Sequence, residues 1–174
     1  MANDAKDCRF ITSLTNCTQL SYLILCANYF EGNFPSLIAN LSSALEWIVL
    51  PENQISGSIP AEIENLQSLA QLDLSHNLLM GAIPEAIGRL KSLQLLDLSH
   101  NILSGEIPAS LGNLSLLGKL QLGKNLLLLQ GVIPPSLGNY KDLMLLNLFY
   151  NQLDGIIPKE VVSISSLPNS RLVS

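Results

Sequence analysis

Leu69-Ala70-Gln71-Leu72-Asp73-Leu74-Ser75-His76-Asn77 decides the fold. Leu72 and Leu74 alternate with Gln71, Asp73 and Ser75, and a period of two marks a short strand with one apolar face. The same phrase, Leu-x-x-Leu-x-Leu-x-x-Asn, closes on Asn28, Asn53, Asn77, Asn101, Asn125 and Asn151, with Ile48 replacing one Leu. The asparagines are 25, 24, 24, 24 and 26 residues apart. Self-similarity at this period is the mark of a solenoid. One such strand cannot bury its apolar face alone. Copies stacked about 4.8 Å apart form a parallel sheet along the inner curve and close the core. Each Leu buried this way contributes roughly 1.5–3 kcal/mol.

The Leu spacing identifies the unit as a leucine-rich repeat. The expected fold is α/β: a right-handed solenoid, a concave parallel sheet, and short 3₁₀ or helical segments on the convex side. Residues 1–19 read as a partial N-terminal repeat and 20–166 as six repeats of about 24 residues, with 167–174 a truncated seventh. Each Asn ends a strand, and its amide can bond backbone groups of its own and the next coil. Gly57, Gly81, Gly105, Gly131 and Gly155 follow, where a sharp turn requires positive φ. Ile59-Pro60 and its equivalents come next, with Phe34-Pro35 in the first unit. Pro cannot donate to a ladder, so it marks the exit from extended structure. Glu85 to Leu90 then reads as a short helix or 3₁₀ turn.

Composition narrows the function. Apolar residues make up 48% of the 174, aromatics only 5%, so the core is aliphatic. A net charge of −5 with scattered Lys and Arg argues against nucleic acid as partner. No stretch reaches the roughly 18–20 apolar residues of a membrane span, and no signal peptide is visible. Cys17 occupies the slot of Leu66, Leu90 and Leu114, which predicts a small buried hydrophobe. Nothing in the spacing demands a Cys8–Cys26 pair. An extra residue enters within Asn40 to Leu45. Two apolar ones enter within Leu126 to Gly131, where a repacked turn or a partner contact at Leu128 or Leu129 is expected.

The phrase Leu-x-x-Leu-x-Leu-x-x-Asn-x-Leu-x-Gly-x-Ile-Pro-x-x-Leu-Gly-x-Leu resembles the plant-specific class of leucine-rich repeat over about residues 10–167. Phe10 to Cys17, Leu45-Glu46-Trp47 and Asn53 to Pro60 are similar to ectodomains of plant receptor-like kinases, especially the grass group with bacterial-blight resistance receptors. The resemblance implies an extracellular ligand-binding solenoid in recognition or defence signalling, on the outer side of the plasma membrane. A membrane helix and a cytoplasmic Ser/Thr kinase would belong to the parent. No caps, membrane helix or kinase motif are visible, so the expectation is an internal piece of such an ectodomain. Alternatives are a secreted inhibitor or decoy resembling polygalacturonase inhibitors, and a non-functional truncated product. Sequons at Asn16, Asn40 and Asn113 fit extracellular ancestry and fall on the convex side.

Four columns of outward positions are expected down the concave face. The first is Tyr22, Trp47, Gln71, Leu95, Lys119 and Leu145. The second is Ile24, Val49, Asp73, Asp97, Gln121 and Asn147. Then come Cys26, Pro51, Ser75, Ser99, Gly123 and Phe149, and last Ala27, Glu52, His76, His100, Lys124 and Tyr150. Tyr22, Ile24, Trp47 and Val49 are apolar where a solvated face is normally polar. They suggest a protein or peptide contact, or a surface covered by neighbouring repeats of a parent. Leu145, Phe149 and Tyr150 form a second such corner. The candidate ligand-binding set is Tyr22, Ile24, Trp47, Val49, Glu52, Asp73, His76, Asp97, His100, Lys119, Lys124, Phe149 and Tyr150. Two His and two Asp on one patch admit a metal or pH-sensing reading. The Leu-Asp-Leu-Ser phrase fits a hydrogen-bonded polar ladder better, so neither metal nor cofactor is assigned. Catalytic motifs are absent from the sequence, and the expected partners are a protein or peptide ligand and a co-receptor.

Overall fold

A computed structural model describes residues 13–34, 38, 41–126, 128–129, 133–153 and 156–164. Six three-residue strands, β1 (Tyr22–Ile24), β3 (Trp47–Val49), β5 (Gln71–Asp73), β7 (Leu95–Asp97), β9 (Lys119–Gln121) and β11 (Leu145–Asn147), line one face. They pair in parallel in the order β1-β3-β5-β7-β9-β11. Tyr22 faces Trp47, Trp47 faces Gln71, and the register continues through Leu95 and Lys119 to Leu145. Between the outward side chains lie Leu23, Ile48, Leu72, Leu96, Leu120 and Leu146, all buried. These join Leu69, Leu93, Leu117 and Ile59, Ile83, Ile107 and Ile133 of the Ile-Pro steps in one continuous core, while Ile157 of the last step is exposed.

The strands are shorter than the four-column reading requires. The third and fourth columns lie beyond them, in the turn. Ala27, Glu52, His76, His100, Lys124 and Tyr150 all adopt left-handed backbone, with φ between 49° and 55°. Coil-to-coil bonding nevertheless persists there. The His76 amide donates to Ser99 O at 3.0 Å and the His100 amide to Gly123 O at 2.9 Å. Non-glycine residues rarely enter this region, which costs roughly 1–2 kcal/mol per residue. The ladder and the Asn that follows hold them there.

Asn101 shows how. Its Nδ2 donates to Leu98 O and Ser99 O in its own coil and to Leu74 O in the preceding one, at 3.2, 3.2 and 3.0 Å. Its Oδ1 accepts from the Leu79 amide at 2.9 Å. Asn53, Asn77 and Asn125 repeat the pattern. The side chain therefore ties each coil to the one before it, not to the one after as the sequence reading had it. The reason is geometric: the Asn lies one step past the strand end, where the previous coil's strand-end carbonyl faces it. Asn151 makes the three donations, and among the described residues no group donates to its buried Oδ1.

A second sheet was not foreseen. After each Asn the chain extends again as β2 (Glu31–Asn33), β4 (Gln54–Gly57), β6 (Leu78–Gly81) and β8 (Ile102–Leu103), which pair in parallel. β10 (Leu128–Leu129) pairs with β12 (Gln152–Leu153) within the same arrangement of coils. This pair keeps the register of the other coils, so the double insertion follows Leu129, and residues 130–132 lie outside the described residues. The sequence hid this sheet because its strands are only two to four residues long and run into glycine. Gly57, Gly81 and Gly105 have φ of +83°, +78° and +81°, as the turn reading required. Leu78, Met80, Ile102 and Leu126 leave an exposed apolar stripe along this side.

On the convex side, 3₁₀ turns span Ala61–Asn65, Glu85–Arg89, Ala109–Asn113 and Pro135–Asn139, each directly after a Pro. A short α-helix, α1 (Lys159–Val162), takes the same place in the sixth unit. A Cβ on Gly88 or Gly112 would lie 2.3 Å from Ser110 O or Ser136 O, so these glycines let successive turns stack. Cys17 contradicts its expectation: it is exposed and free. Leu66, Leu90 and Leu114 are sandwiched between described coils, whereas Cys17 has a described coil on one side only. Cys26 is also free, and Cys8 lies outside the described residues. Asn40, Gly131, Gly155 and the 167–174 segment lie outside them too.

Candidate ligand-binding face

The concave sheet presents outward side chains at one-coil intervals, so its chemistry reads directly along the register. The N-terminal corner is apolar and exposed: Tyr22 is 52%, Ile24 51% and Trp47 40% accessible. The Tyr22 and Trp47 rings meet edge to face with centroids 5.1 Å apart. Such a pair holds both rings in place and leaves faces open to a partner. Tyr22 Oη donates to Glu46 Oε2 at 3.2 Å. That bond, together with the negative charge it meets, holds the phenol above its ordinary pKa. Glu46 was missed in the sequence because it precedes the strand and breaks the period-two pattern.

The middle of the face is a polar ladder. Asp73 Oδ1 accepts from the Ser75 amide and hydroxyl at 3.0 and 2.7 Å. Asp97 Oδ1 does the same with Ser99 at 2.9 and 2.6 Å. Gln121 Nε2 donates to the other oxygen of Asp97. Burial pushes the Asp97 carboxyl above its ordinary range. The Ser99 bonds and the nearby His76 oppose the rise, and the charge of Asp73 adds to it. His76 and His100 stack nearly parallel, with centroids 3.7 Å apart and 17° between planes. Burial, then the charges of His76 and Lys124, hold His100 below its ordinary pKa. Two stacked rings cannot both turn a lone pair toward one ion. Among the described residues no cluster of His, Cys, Asp and Glu could hold a metal.

At the C-terminal corner Phe149 and Tyr150 pack edge to face at 5.1 Å. The Lys124 ammonium sits 5.9 Å from the Phe149 ring centre and 5.8 Å from that of Tyr150. Gly123, where the two preceding coils carry Ser75 and Ser99, makes room for this: a Cβ there would meet the Phe149 ring at 2.7 Å. The structure therefore splits the candidate set into three. Tyr22, Ile24, Trp47 and Val49 stand together, as do Asp73, His76, Asp97 and His100. Lys124, Phe149 and Tyr150 form the third group, with Lys119 beside it on β9 and Glu52 between the first two.

Two leucine-rich-repeat family models match residues 18–79 and 92–114. The solved ectodomain of the receptor kinase SOBIR1 from Arabidopsis thaliana is 31% identical with a TM-score of 0.70, over 75% of this chain and 69% of that one. The chain belongs to the plant leucine-rich-repeat family. The ectodomain of GASSHO1/SCHENGEN3 from Arabidopsis thaliana, solved with Casparian strip integrity factor 2, is 39% identical with a TM-score of 0.85. That match covers 88% of this chain and 18% of that one. The Arabidopsis receptor kinase HAESA, solved with the peptide hormone IDA and the co-receptor SERK1, is 35% identical with a TM-score of 0.80, over 88% of this chain and 26% of that one. A probable leucine-rich-repeat receptor-like serine/threonine-protein kinase of Arabidopsis thaliana shares 48% identity over 44 residues, 25% of this chain and 4% of its own length. This leucine-rich-repeat segment is, like the ectodomains it matches, a non-catalytic α/β solenoid. No helix among its described residues is long and apolar enough to cross a membrane.

Proposed function

We propose that this leucine-rich-repeat segment binds a peptide or protein ligand on its concave sheet, as part of a plant receptor kinase ectodomain that serves in recognition or defence signalling. One observation carries the reading. Tyr22, Ile24 and Trp47 are large, apolar and exposed on a rigid sheet, although the fold gives them no core to fill. Exposed aromatics held on a rigid frame are what a protein or peptide contact uses. The peptide held by HAESA, and the co-receptor beside it, support the same partners for this chain. The extracellular face of the plasma membrane is the corresponding location. Asn16 and Asn113 are exposed at the ends of 3₁₀ turns on the convex side, so glycans there leave the concave face clear.

The test is selection of a random peptide library on the immobilised chain. Capture is then compared for Tyr22→Ala, Trp47→Ala and a convex control, Glu62→Ala. The two concave substitutions are expected to lower retention at least tenfold and the control to leave it unchanged. Equal retention by all three overturns the proposal.

A further inference from the structure

The charges of the concave face are sorted along the solenoid. In the first four coils the acidic side chains at this face are Glu46, Glu52, Asp73 and Asp97. The basic residues of that stretch, Arg89 and Lys91, are engaged on the convex side. Arg89 pairs with Glu64 at 2.9 Å, and Lys91 Nζ donates to Gly88 O and Asn113 O at 3.1 and 3.2 Å. In the fifth and sixth coils the four columns hold Lys119 and Lys124, both exposed, and no carboxylate.

Not every acid is available. Glu46 is taken by Tyr22, and Asp97 is buried with bonds to both oxygens. Glu52 is exposed, and among the described residues no bond closes the second oxygen of Asp73. The face therefore offers an aromatic corner, then Glu52 and Asp73, then the His76–His100 stack, then Lys119 and Lys124. At about 4.8 Å per coil, the step from the Glu52–Asp73 pair to the lysines is roughly 12 Å, or about four residues of extended chain.

We propose that the ligand is an extended peptide of polarised charge. An apolar side chain rests on Tyr22 and Trp47, a basic side chain lies over Glu52 and Asp73, and an acidic side chain about four residues further on meets Lys119 and Lys124. This rests on the peptide-binding reading above and narrows it. Reversing the charges destroys the match, because each end then faces its own sign.

Blocked peptides test the order. The probe is acetyl-Trp-Leu-Ser-Lys-Ser-Gly-Ser-Asp-Ser-amide, made in both chain directions because the strands do not fix the ligand's direction. Its partner set exchanges Lys and Asp. Binding to the chain is read by fluorescence anisotropy. One direction of the probe is expected to bind at least tenfold tighter than either exchanged peptide, and the difference is expected to shrink from about 0.1 M to about 1 M salt. The double variant Glu52→Lys/Lys124→Glu leaves one charge of each sign at either end, because Asp73 and Lys119 stay in place, and is expected to abolish the preference. Both residues are exposed and share one backbone conformation, with φ of 55° and 54°, so the swap leaves the core untouched. Probe and exchanged peptides binding within twofold of each other overturn the charge order. So does a double variant that keeps the original preference. If none of these peptides binds while library peptides do, the polarised ligand fails and peptide binding stands. If the library also yields nothing, both fail.

Discussion

Asn101→Ala measures what holds one coil to the next. The side chain is 7% accessible and makes three donations, at 3.0, 3.2 and 3.2 Å, and one acceptance at 2.9 Å. Each such bond is worth about 0.5–1.5 kcal/mol net, and buried groups left unpaired cost more. The substitution is therefore expected to lower stability by about 3–5 kcal/mol. The repeat supplies its own controls. Asn151 donates three times, and among the described residues nothing donates to its Oδ1, so Asn151→Ala is expected to cost about 2–3 kcal/mol. Asn28 is exposed and, among the described residues, bonds only Leu25 O and Cys26 O of its own coil, so Asn28→Ala is expected to cost less than about 1 kcal/mol. Guanidinium unfolding followed by circular dichroism gives the three values, with the slope of each transition compared to confirm that one cooperative unit unfolds. The expected order is Asn101, then Asn151, then Asn28. Equal losses at Asn28 and Asn101, or a loss below about 1 kcal/mol at Asn101, would refute the coil-tying role.

Gly112→Ala places a Cβ 2.3 Å from Ser136 O, so adjacent convex turns must part. A loss of about 1–3 kcal/mol is expected, and an unchanged melting temperature contradicts the close-stacking account. Ala27→Gly runs the other way. Ala27 sits at φ 51°, where glycine is unstrained, so a gain of about 0.5–1 kcal/mol is expected, read as a raised denaturation midpoint. Destabilisation there would mean the left-handed column carries little strain. Asp97 sets a pH dependence. Its carboxyl is held above the ordinary value, so the folded chain keeps this proton more tightly than the unfolded one. Its contribution is full at acid pH and declines as pH rises from the ordinary carboxylate pKa through the higher folded one. Asp97→Asn is expected to lose less stability between acid and neutral pH than the parent chain, and a steeper loss in paired melts goes against the assignment.

The apolar period was legible at every coil because Leu72 and Leu74, or their counterparts, repeat locally and need no distant partner to be recognised. The concave columns followed from that period, and the register from Tyr22 to Leu145 and from Ile24 to Asn147 matches the first two of them. What failed were features set by neighbouring coils. Cys17 looked like a core residue because its slot is one, but burial depends on what stacks against it. The left-handed turn at Glu52, His76 and Lys124 carries no common residue type that announces it. It is imposed by the ladder and the Asn that follows. The His76–His100 stack was visible as a column, while the near-parallel rings at 3.7 Å are a product of packing.

By itself, then, the sequence determined the solenoid, its period, its aliphatic core and which side chains line the inner curve, since those depend on residues within a single coil. The tertiary structure decided the second sheet, the direction of the Asn bonds, which carboxylates stay available and how charge is sorted along the face. The second sheet and the Asn bonds are relations between residues 22 to 29 positions apart, where one coil meets the next, and the charge order runs over several coils, so no local pattern encodes them.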